Sequence, residues 1–321
     1  MVKSLLVRTH RGPNMIFKGD NMEENIMFKA DSVCKNYGSH HVLNNVSFSI
    51  RKGEIYGLVG KNGAGKTTIM RIMTGLQAPT SGTIEFGFDR KRLGSVGSLV
   101  ELPSIYANKT AKENLEFQFI NLGLKLDGSL EETLAFVGLD NTGNKKAGKF
   151  SLGMRQRLGI AMAIVGNPEM LILDEPINGL DPQGIIQIRD LIIKLNKEKD
   201  MTIIISSHIL SELDKIATSY AFIDSGKIVR EATQDEIENA GEKQLVITTN
   251  DPQGLATTLM TKGFNAELVT NPGKVTVRGD VNIAQIAVIA SEGGYEVTDM
   301  HNVETDLEEF FLGLVGGETH A

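Results

Sequence analysis

The sequence contains a single cysteine, Cys34. One cysteine cannot form an internal disulfide, so the fold does not depend on oxidation and a reducing, cytosolic setting fits. Cys34 lies in a strand-like run, where we expect a small core residue and not a reactive thiol.

Long apolar runs are missing as well. A membrane-spanning helix needs about 20 predominantly apolar residues, and the best candidate, 158–166, is interrupted by Asn167 and Pro168. The basic N-terminus is not followed by an apolar segment, which excludes a typical secretory signal. If this protein serves a membrane, we expect it to act from the aqueous side.

Basic residues are fewer than acidic ones. Lys and Arg total 33 against 40 Asp and Glu, which gives a net charge of −7. A general nucleic-acid binder needs a basic face to meet phosphates, so no nucleic-acid partner is expected. The length of 321 residues and the hydrophobic fraction of 41% indicate a globular chain with two domains.

The order of predicted elements divides the chain into three parts. Residues 1–26 show no sustained periodicity and predict a loose leader, within which Met22 is a candidate start, as is Met27 just after it. Residues 27–239 alternate strands and helices with short connections, which is typical of a parallel α/β sheet with an antiparallel edge.

A helical lobe interrupts the α/β part at about 104–166, and its first helix is expected to begin at the capping box Thr110–Glu113. Residues 240–321 follow the order βαββαβ, which predicts a ferredoxin-like α+β domain. A last helix is predicted after a capping box at 305–308.

Residues 60–67, Gly-Lys-Asn-Gly-Ala-Gly-Lys-Thr, form a complete P-loop between an apolar strand and a helix. The glycines let backbone N–H groups surround phosphate oxygens, and the helix N-terminus adds its positive end. Lys66 supplies a charge to the outer phosphates, and Thr67 can place its hydroxyl on Mg²⁺. The expected ATP contacts are Gly60, Asn62, Gly63, Ala64, Gly65, Lys66, Thr67 and Thr68.

A second apolar strand, 170–173, ends in two carboxylates. Asp174 can hold Mg²⁺ through its water shell. Glu175 can polarise the attacking water as a general base. Either this element or the P-loop alone would also fit a P-loop kinase or a GTPase.

The segment Phe150-Ser151-Leu152-Gly153-Met154 resembles the Leu-Ser-Gly-Gly-Gln signature of ABC ATPases. Ser151 and Gly153 match that signature, whereas the other three residues depart from it. Ser151 is a natural N-cap, and the helix that it begins presents free N–H groups to an anion. In the family that anion is the γ-phosphate bound by the other monomer; the alternative is an ordinary capped helix.

The other marks of the ABC ATPase family follow in order. Asp181 lies in a stretch that resembles the D-loop after the catalytic glutamate, and His208 resembles the switch histidine that contacts the γ-phosphate. Tyr37 fits the aromatic residue that stacks on adenine, although simple packing is the alternative. On these motifs, residues 27 to about 230 are identified as a member of the ABC ATPase family.

Glu101 stands where the family usually has glutamine, in the loop that leads into the helical lobe. The resemblance implies a position near Mg²⁺ and the permease contact; the alternative is a solvated loop carboxylate. Glu101, the nearby Pro103 and Tyr106, and the Ser-Leu-Gly-Met signature are similar to the bacitracin and lantibiotic exporter branch. The C-terminal domain, with its Glu-Glu-Phe-Phe ending at 308–311, also occurs in that branch.

The resemblance implies an ATPase that uses ATP and Mg²⁺ and works as a head-to-tail dimer. Separate transmembrane permease chains would place it at the cytoplasmic face of the membrane. Other exporters, of ions or other drugs, share these motifs and stay open, because the cargo touches the permease and not this chain. A ribosome-acting ABC protein usually carries two cores, and a DNA-organising one needs long coiled coils between its motifs. The sequence has one P-loop and a short interval between the motifs.

Overall fold

A computed structural model describes residues 15–17, 25–101, 103–240, 244–269, 273–279, 281–303 and 307–316. The chain divides into two compact units, Met1–Ala232 and Thr233–Ala321. This division falls earlier in the chain than the predicted boundary at residue 239. A capping box at Thr233 and Glu236 begins a helix there, so the second unit starts before the sequence pattern changes.

The first unit contains strands and helices in alternation, with β10 crossing the boundary. Its strands are β1 Met15–Phe17, β2 Ile26–Tyr37, β3 His40–Arg51, β4 Ile55–Val59, β5 Ser81–Phe86, β6 Val96–Leu99, β7 Met170–Asp174, β8 Thr202–Ser207, β9 Ser219–Asp224 and β10 Lys227–Thr233. Its helices are α1 Lys66–Met73, α2 Ala111–Asn121, α3 Ser129–Phe136, α4 Leu152–Ile164, α5 Pro182–Lys199 and α6 Leu210–Leu213.

The central sheet of this unit has the strand order β10-β9-β4-β8-β7-β6. Strand β4 pairs in parallel with β8 and β9, and β7 pairs in parallel with β6 and β8. Every residue of β4, β7 and β8 is buried, as expected for strands covered on both faces. The predicted parallel α/β core is confirmed, and it brings the carboxyl ends of β4, β7 and β8 to one edge of the sheet.

A second sheet has the order β1-β5-β2-β3. Strand β2 pairs antiparallel with β3 and β5, which forms the antiparallel part that the sequence predicts. The short strand β1 lies within the segment 1–26 that was expected to be a leader, and it pairs in parallel with β5. Cys34, on β2, is half-buried and is not in a disulfide.

The helical lobe lies between β6 and β7 in the chain. It contains α2, α3, two short 3₁₀ turns and α4, all within the predicted range 104–166. The capping box at the start of α2 is present: the Thr110 hydroxyl accepts from the N–H of Glu113, whose carboxylate accepts from the N–H of Thr110. Paired caps of this kind satisfy backbone donors that the helix itself leaves free.

The second unit begins with a short helix and continues as a four-stranded sheet with helices. Its elements are α7 Gln234–Glu238, β11 Gln244–Thr249, α8 Pro252–Thr261, β12 Asn265–Leu268, β13 Lys274–Arg278, α9 Ile283–Glu292, β14 Val297–Val303 and α10 Leu307–Gly316. From β11 to β14 the order is the βαββαβ order expected from the sequence. The sheet is antiparallel in the order β12-β13-β11-β14. The start of the predicted capping box at 305–308 lies outside the described residues.

The core of the second unit is formed by alternate residues of its strands and one face of its helices. Leu245 and Ile247 of β11 pack with Leu255 and Leu259 of α8 and with Ile286 of α9. All five side chains are fully buried. Period-2 burial on the strand and period-4 burial on the helix are the patterns from which the two element types were predicted.

Candidate active site

The P-loop connects β4 to α1 and forms a closed turn around the Lys66 side chain. Lys66 is 6% exposed, and its Nζ donates to the carbonyl oxygens of Gly60 at 2.6 Å and Lys61 at 3.3 Å. Burial lowers the pKa of Lys66 below its usual value, while the carboxylates of Glu175 and Asp174 act in the opposite direction. The loop therefore holds a partly desolvated cation where phosphate oxygens can replace its carbonyl partners.

Two P-loop glycines are required by the close approach of neighbouring groups and by the backbone itself. A Cβ on Gly60 would lie 2.3 Å from the carbonyl oxygen of Ile223, and Gly65 has a φ of +111°. Gly65 is also the N-cap of α1 and provides no side-chain hydrogen bond to the first turn. Free N–H groups at a helix N-terminus form an anion site.

The remaining predicted P-loop contacts differ in exposure. Asn62 and Gly63 lie exposed at the tip of the loop, and Thr68 is half-buried in the first turn of α1. Ala64 is 5% exposed, and its carbonyl accepts a hydrogen bond from the N–H of Gly226. The back of the loop is thus attached to the turn between β9 and β10.

The ends of three elements meet at Asp174. The Thr67 hydroxyl donates to Oδ2 of Asp174 at 2.8 Å, and the Ser206 hydroxyl donates to Oδ1 at 2.6 Å. Asp174 is 5% exposed. A hydroxyl and a carboxylate are the hard oxygen donors that Mg²⁺ prefers, so the chemistry of Thr67 and Asp174 fits this ion. Among the described residues, no group of three or more His, Cys, Asp and Glu residues forms a metal site of its own.

Glu175 directly follows β7 in an unusual backbone conformation, with a φ of +50°. Its N–H donates to the Ser206 hydroxyl at 3.0 Å. The Nδ1 atom of His208 lies 2.6 Å from Oε2, and because an ionised carboxylate can only accept, this nitrogen is the donor. Oε1 lies 4.0 Å from Nζ of Lys66. The carboxylate is thereby held beside the lysine of the phosphate loop.

Tyr37 lies outside this cluster, at the end of β2, with 44% of its surface exposed. Its hydroxyl donates to Oε1 of Gln77 at 2.5 Å. Lys35 places its ammonium 5.3 Å from the ring centre and donates to the carbonyl of Ala78 at 2.7 Å. These two contacts fix the ring while leaving a large part of it accessible for stacking on a base.

We expect Tyr37→Ala to weaken ATP binding about tenfold, the usual scale for loss of base–aromatic stacking. Tyr37→Phe keeps the ring and loses the Gln77 hydrogen bond, so its effect should be smaller. Nucleotide titration of the purified variants by fluorescence measures both. If Tyr37 only packs, Tyr37→Ala should lower the melting temperature and leave the affinity unchanged.

The predicted signature residues form a separate group. Ser151 caps α4, its hydroxyl accepting from the N–H of Met154 at 3.2 Å. Asp181 caps α5, its carboxylate accepting from the N–H of Gly184 at 2.7 Å. Ser151, Gly153 and Asp181 line one cavity of about 380 Å³, and within the described part of the chain the P-loop residues are not in its lining.

Glu101 has a different partner from the one expected for a metal-site residue. Its carboxylate contacts the guanidinium of Arg71 and, among the described residues, forms no hydrogen bond with Thr67 or Asp174. Its backbone has a φ of +67°. The partner of Glu101 in this structure is therefore Arg71 of helix α1, and a role of Glu101 near Mg²⁺ stays a prediction.

Three side chains of this region were not singled out from the sequence. Ser206 bridges Asp174 and Glu175, Arg71 meets Glu101, and Gln77 meets Tyr37. For Ser206 a signal existed, because two serines, Ser206 and Ser207, end a buried strand beside the strand that carries Asp174. For Arg71 and Gln77 the sequence carries no comparable signal, since their partners are 30 and 40 positions away.

A protein-family model and two relatives of known name match this chain. The ABC transporter family model matches residues 43–178. The chain is 41% identical over 302 residues to the bacitracin transport ATP-binding protein BcrA of Bacillus licheniformis, covering 91% of this chain and 98% of the relative. It is 46% identical over 219 residues to the lantibiotic transport ATP-binding protein SrtF of Streptococcus pyogenes, covering 67% of this chain and 95% of the relative.

Solved structures are similar over about two thirds of the chain. An ATP-binding subunit of an ABC transporter aligns with a TM-score of 0.59 and 27% identity, covering 67% of this chain and 92% of the other. A dimeric bacterial ABC transporter cassette, MJ0796, aligns with a TM-score of 0.58 and 26% identity, covering 65% of this chain and 99% of the other. With the P-loop, the Asp174–Glu175 pair and the length of the shared identity taken together, the chain belongs to the ATP-binding subunits of ABC transporters and is an ATPase.

Proposed function

We propose that this chain hydrolyses MgATP to drive a permease, formed by separate chains, that exports an antimicrobial peptide of the bacitracin or lantibiotic type. The observation that carries this proposal is the 41% identity to a bacitracin transport ATP-binding protein over 98% of its length. That range includes both units, whereas the shared ATPase fold alone would support only the first. ATP hydrolysis is also supported by the hydrolytic cluster, which consists of Lys66, Thr67, Asp174, Glu175 and His208 at the ends of β4, β7 and β8.

The residues of the cluster have separate roles in this proposal. Lys66 and the first turn of α1 bind the phosphates, and Thr67 and Asp174 hold Mg²⁺, which supplies charge neutralisation there. Glu175 accepts a proton from the attacking water, and His208, which donates to Glu175 at 2.6 Å, orients that carboxylate. The family resemblance also implies that His208 contacts the γ-phosphate.

The cavity lined by Ser151, Gly153 and Asp181 is proposed to receive the nucleotide of a second copy. Support comes from the position of Ser151 and Gly153 at the N-terminus of α4, where a helix favours an anion, and from the dimeric cassette among the similar solved structures. Each ATP would then lie between the P-loop of one copy and the Ser151 region of the other.

We assign the second unit to the ferredoxin-like class on its βαββαβ order and its antiparallel sheet.

Within the described residues, no helix is long and apolar enough to cross a bilayer. We propose that the chain lies at the cytoplasmic face of the membrane, held there by its permease.

A resistance assay tests the proposed cargo. The chain and its permease, expressed in a susceptible Gram-positive host, should raise the inhibitory concentrations of bacitracin or a lantibiotic severalfold, and Glu175→Gln should remove this protection while leaving the protein level unchanged. An exposed carboxylate on α5 provides the matched control, and Glu198→Gln should protect like the wild type. Equal sensitivity of cells with the wild-type and Glu175→Gln complexes would contradict the proposal.

A further inference from the structure

Glu175, the proposed base, has a backbone conformation that costs free energy. Its φ of +50° lies in the left-handed region, which a residue with a side chain keeps only when its surroundings offset the cost. The next residue is Pro176, and a proline disfavours the right-handed helical conformation in the residue before it. The main competing conformation is therefore the extended one, which would turn the Glu175 carboxylate away from Lys66 and His208.

Two side-chain hydrogen bonds restrain the backbone before and after Glu175. On the N-terminal side, the N–H of Glu175 donates to the Ser206 hydroxyl at 3.0 Å. On the C-terminal side, Nε2 of Gln156 donates to the carbonyl oxygen of Pro176 at 3.0 Å. Ser206 lies on β8 of the central sheet and Gln156 on α4 of the helical lobe, so the two restraints come from different parts of the first unit.

The Gln156 side chain is buried with only one half of its amide paired. It is 6% exposed, and within the described part of the chain its Oε1 has no hydrogen-bond partner. A buried acceptor without a partner lowers stability, and an apolar side chain of similar length would avoid that loss. What glutamine adds is the bond to Pro176, because a carbonyl oxygen can only accept and needs an N–H donor.

We propose that Gln156 is a positioning residue for Glu175. Its hydrogen bond to the Pro176 carbonyl holds the segment after β7, so that Glu175 keeps the conformation in which its carboxylate lies beside Lys66. The bond goes to the backbone and not to the Glu175 carboxylate, so its effect on hydrolysis is indirect. The inference rests on the proposed role of Glu175 as the base.

Gln156→Met removes the donor and keeps the length of the side chain. The variant leaves the Pro176 carbonyl without its partner but also removes the unpaired Oε1, so the melting temperature should change little. We expect kcat for ATP hydrolysis to fall about three- to tenfold, the scale of one hydrogen bond, with MgATP affinity unchanged. Gln156→Leu also lacks the donor and should show the same loss. Wild-type kcat in these variants would overturn the inference.

Asn196 on α5 provides the matched control. Its side-chain amide also donates to backbone carbonyls, those of Gly53 at 2.8 Å and Met201 at 2.9 Å, at the opposite edge of the central sheet. Asn196→Leu should therefore lower the melting temperature and leave kcat at the wild-type value. A loss of kcat in Asn196→Leu as large as that in Gln156→Met would assign the effect to general loosening of the fold and would overturn the inference.

Combining Gln156→Met with Glu175→Gln identifies the group through which Gln156 acts. Glu175→Gln hydrolyses ATP without the base, so a residue that only positions Glu175 should have no further effect in that background. Single-turnover hydrolysis by the purified chains measures all four rates, and an equal loss in both backgrounds would overturn the inference. Normal turnover in Glu175→Gln alone would instead remove the proposed base. Absence of peptide export with the expected pattern of rates would remove only the proposed cargo.

Discussion

Glu175→Gln should bind MgATP normally and lose steady-state turnover by about two to four orders of magnitude, the usual contribution of a general base. The amide has the shape of the carboxylate but cannot accept the proton of the attacking water. The backbone should keep its place, because the N–H of residue 175 still donates to the Ser206 hydroxyl at 3.0 Å. Measuring nucleotide affinity beside the hydrolysis rate separates the loss of chemistry from a loss of binding.

Two further variants show whether the loss of turnover is specific to Glu175. Glu198→Gln changes an exposed carboxylate on α5 and should hydrolyse ATP at the wild-type rate. His208→Ala removes the 2.6 Å contact to Glu175 and should lower turnover less than Glu175→Gln does, because the base itself remains. Normal turnover in Glu175→Gln would exclude Glu175 as the base.

Mixing two inactive variants should restore part of the activity. Lys66→Ala removes the buried ammonium of the P-loop and should lower ATP affinity by on the order of a hundredfold, as expected for a charged hydrogen-bonding group. Ser151→Arg fills the space at the N-terminus of α4, where the second copy's nucleotide is proposed to bind. In a mixed head-to-tail dimer, both lesions fall in one site and the other site is intact.

Random mixing gives half of the dimers this composition, and each of them has one intact site out of two. The ATPase rate of the mixture should therefore recover to roughly a quarter of the wild-type rate. Two affinity tags, one on each variant, allow the mixed dimers to be isolated and counted. Absence of any recovery in demonstrated mixed dimers would contradict sites shared between copies.

A second mixture provides the matched control for this recovery. Lys66→Ala and Glu175→Gln both act on the nucleotide of their own copy, since the two side chains lie together in one site. Each site of their mixed dimer then carries one lesion, so this mixture should show no recovery. Equal recovery in both mixtures would mean that the regained activity does not come from a restored composite site.

The hydrolytic cluster was predictable from the sequence because its residues follow buried strands. An apolar run that is buried on both faces predicts a parallel strand, and the carboxyl ends of parallel strands share one edge of the sheet. Lys66 and Thr67 were identified from the P-loop that follows one apolar strand, and Asp174 and Glu175 from the carboxylates at the end of another. The structure brings the four residues together. The capping box at Thr110 depends on local chemistry alone and was predictable for that reason.

What the sequence did not predict depends on side chains that meet across the fold. Arg71 reaches Glu101, and Gln77 reaches Tyr37, through contacts that no local pattern encodes. The expectation that Glu101 lies near the metal site came from the family resemblance. That resemblance concerns a glutamine at this position, so it carries no information on an ion pair that only a glutamate can form. The ion pair with Arg71 could therefore be found only from the structure.

Two boundaries in the second unit also differ from the sequence-based predictions. The unit begins earlier than residue 239 because α7, with its Thr233 cap, precedes the change in sequence pattern. The sequence Tyr295-Glu-Val-Thr298 predicts a strand at 295–298, whereas strand β14 runs Val297–Val303. Its second half includes the exposed polar residues Asp299, His301 and Asn302, so the alternation of apolar and polar residues that predicts a strand is weak there.

Transport in inside-out membrane vesicles tests the central claim most directly. Vesicles that contain this chain and its permease should accumulate labelled bacitracin or lantibiotic when MgATP is supplied, and the Glu175→Gln complex should accumulate about as little as vesicles without ATP. This result would connect hydrolysis at the β4–β7–β8 edge to movement of the peptide. Equal accumulation by the wild-type and Glu175→Gln complexes, or none by a wild-type complex that hydrolyses ATP, would contradict the account.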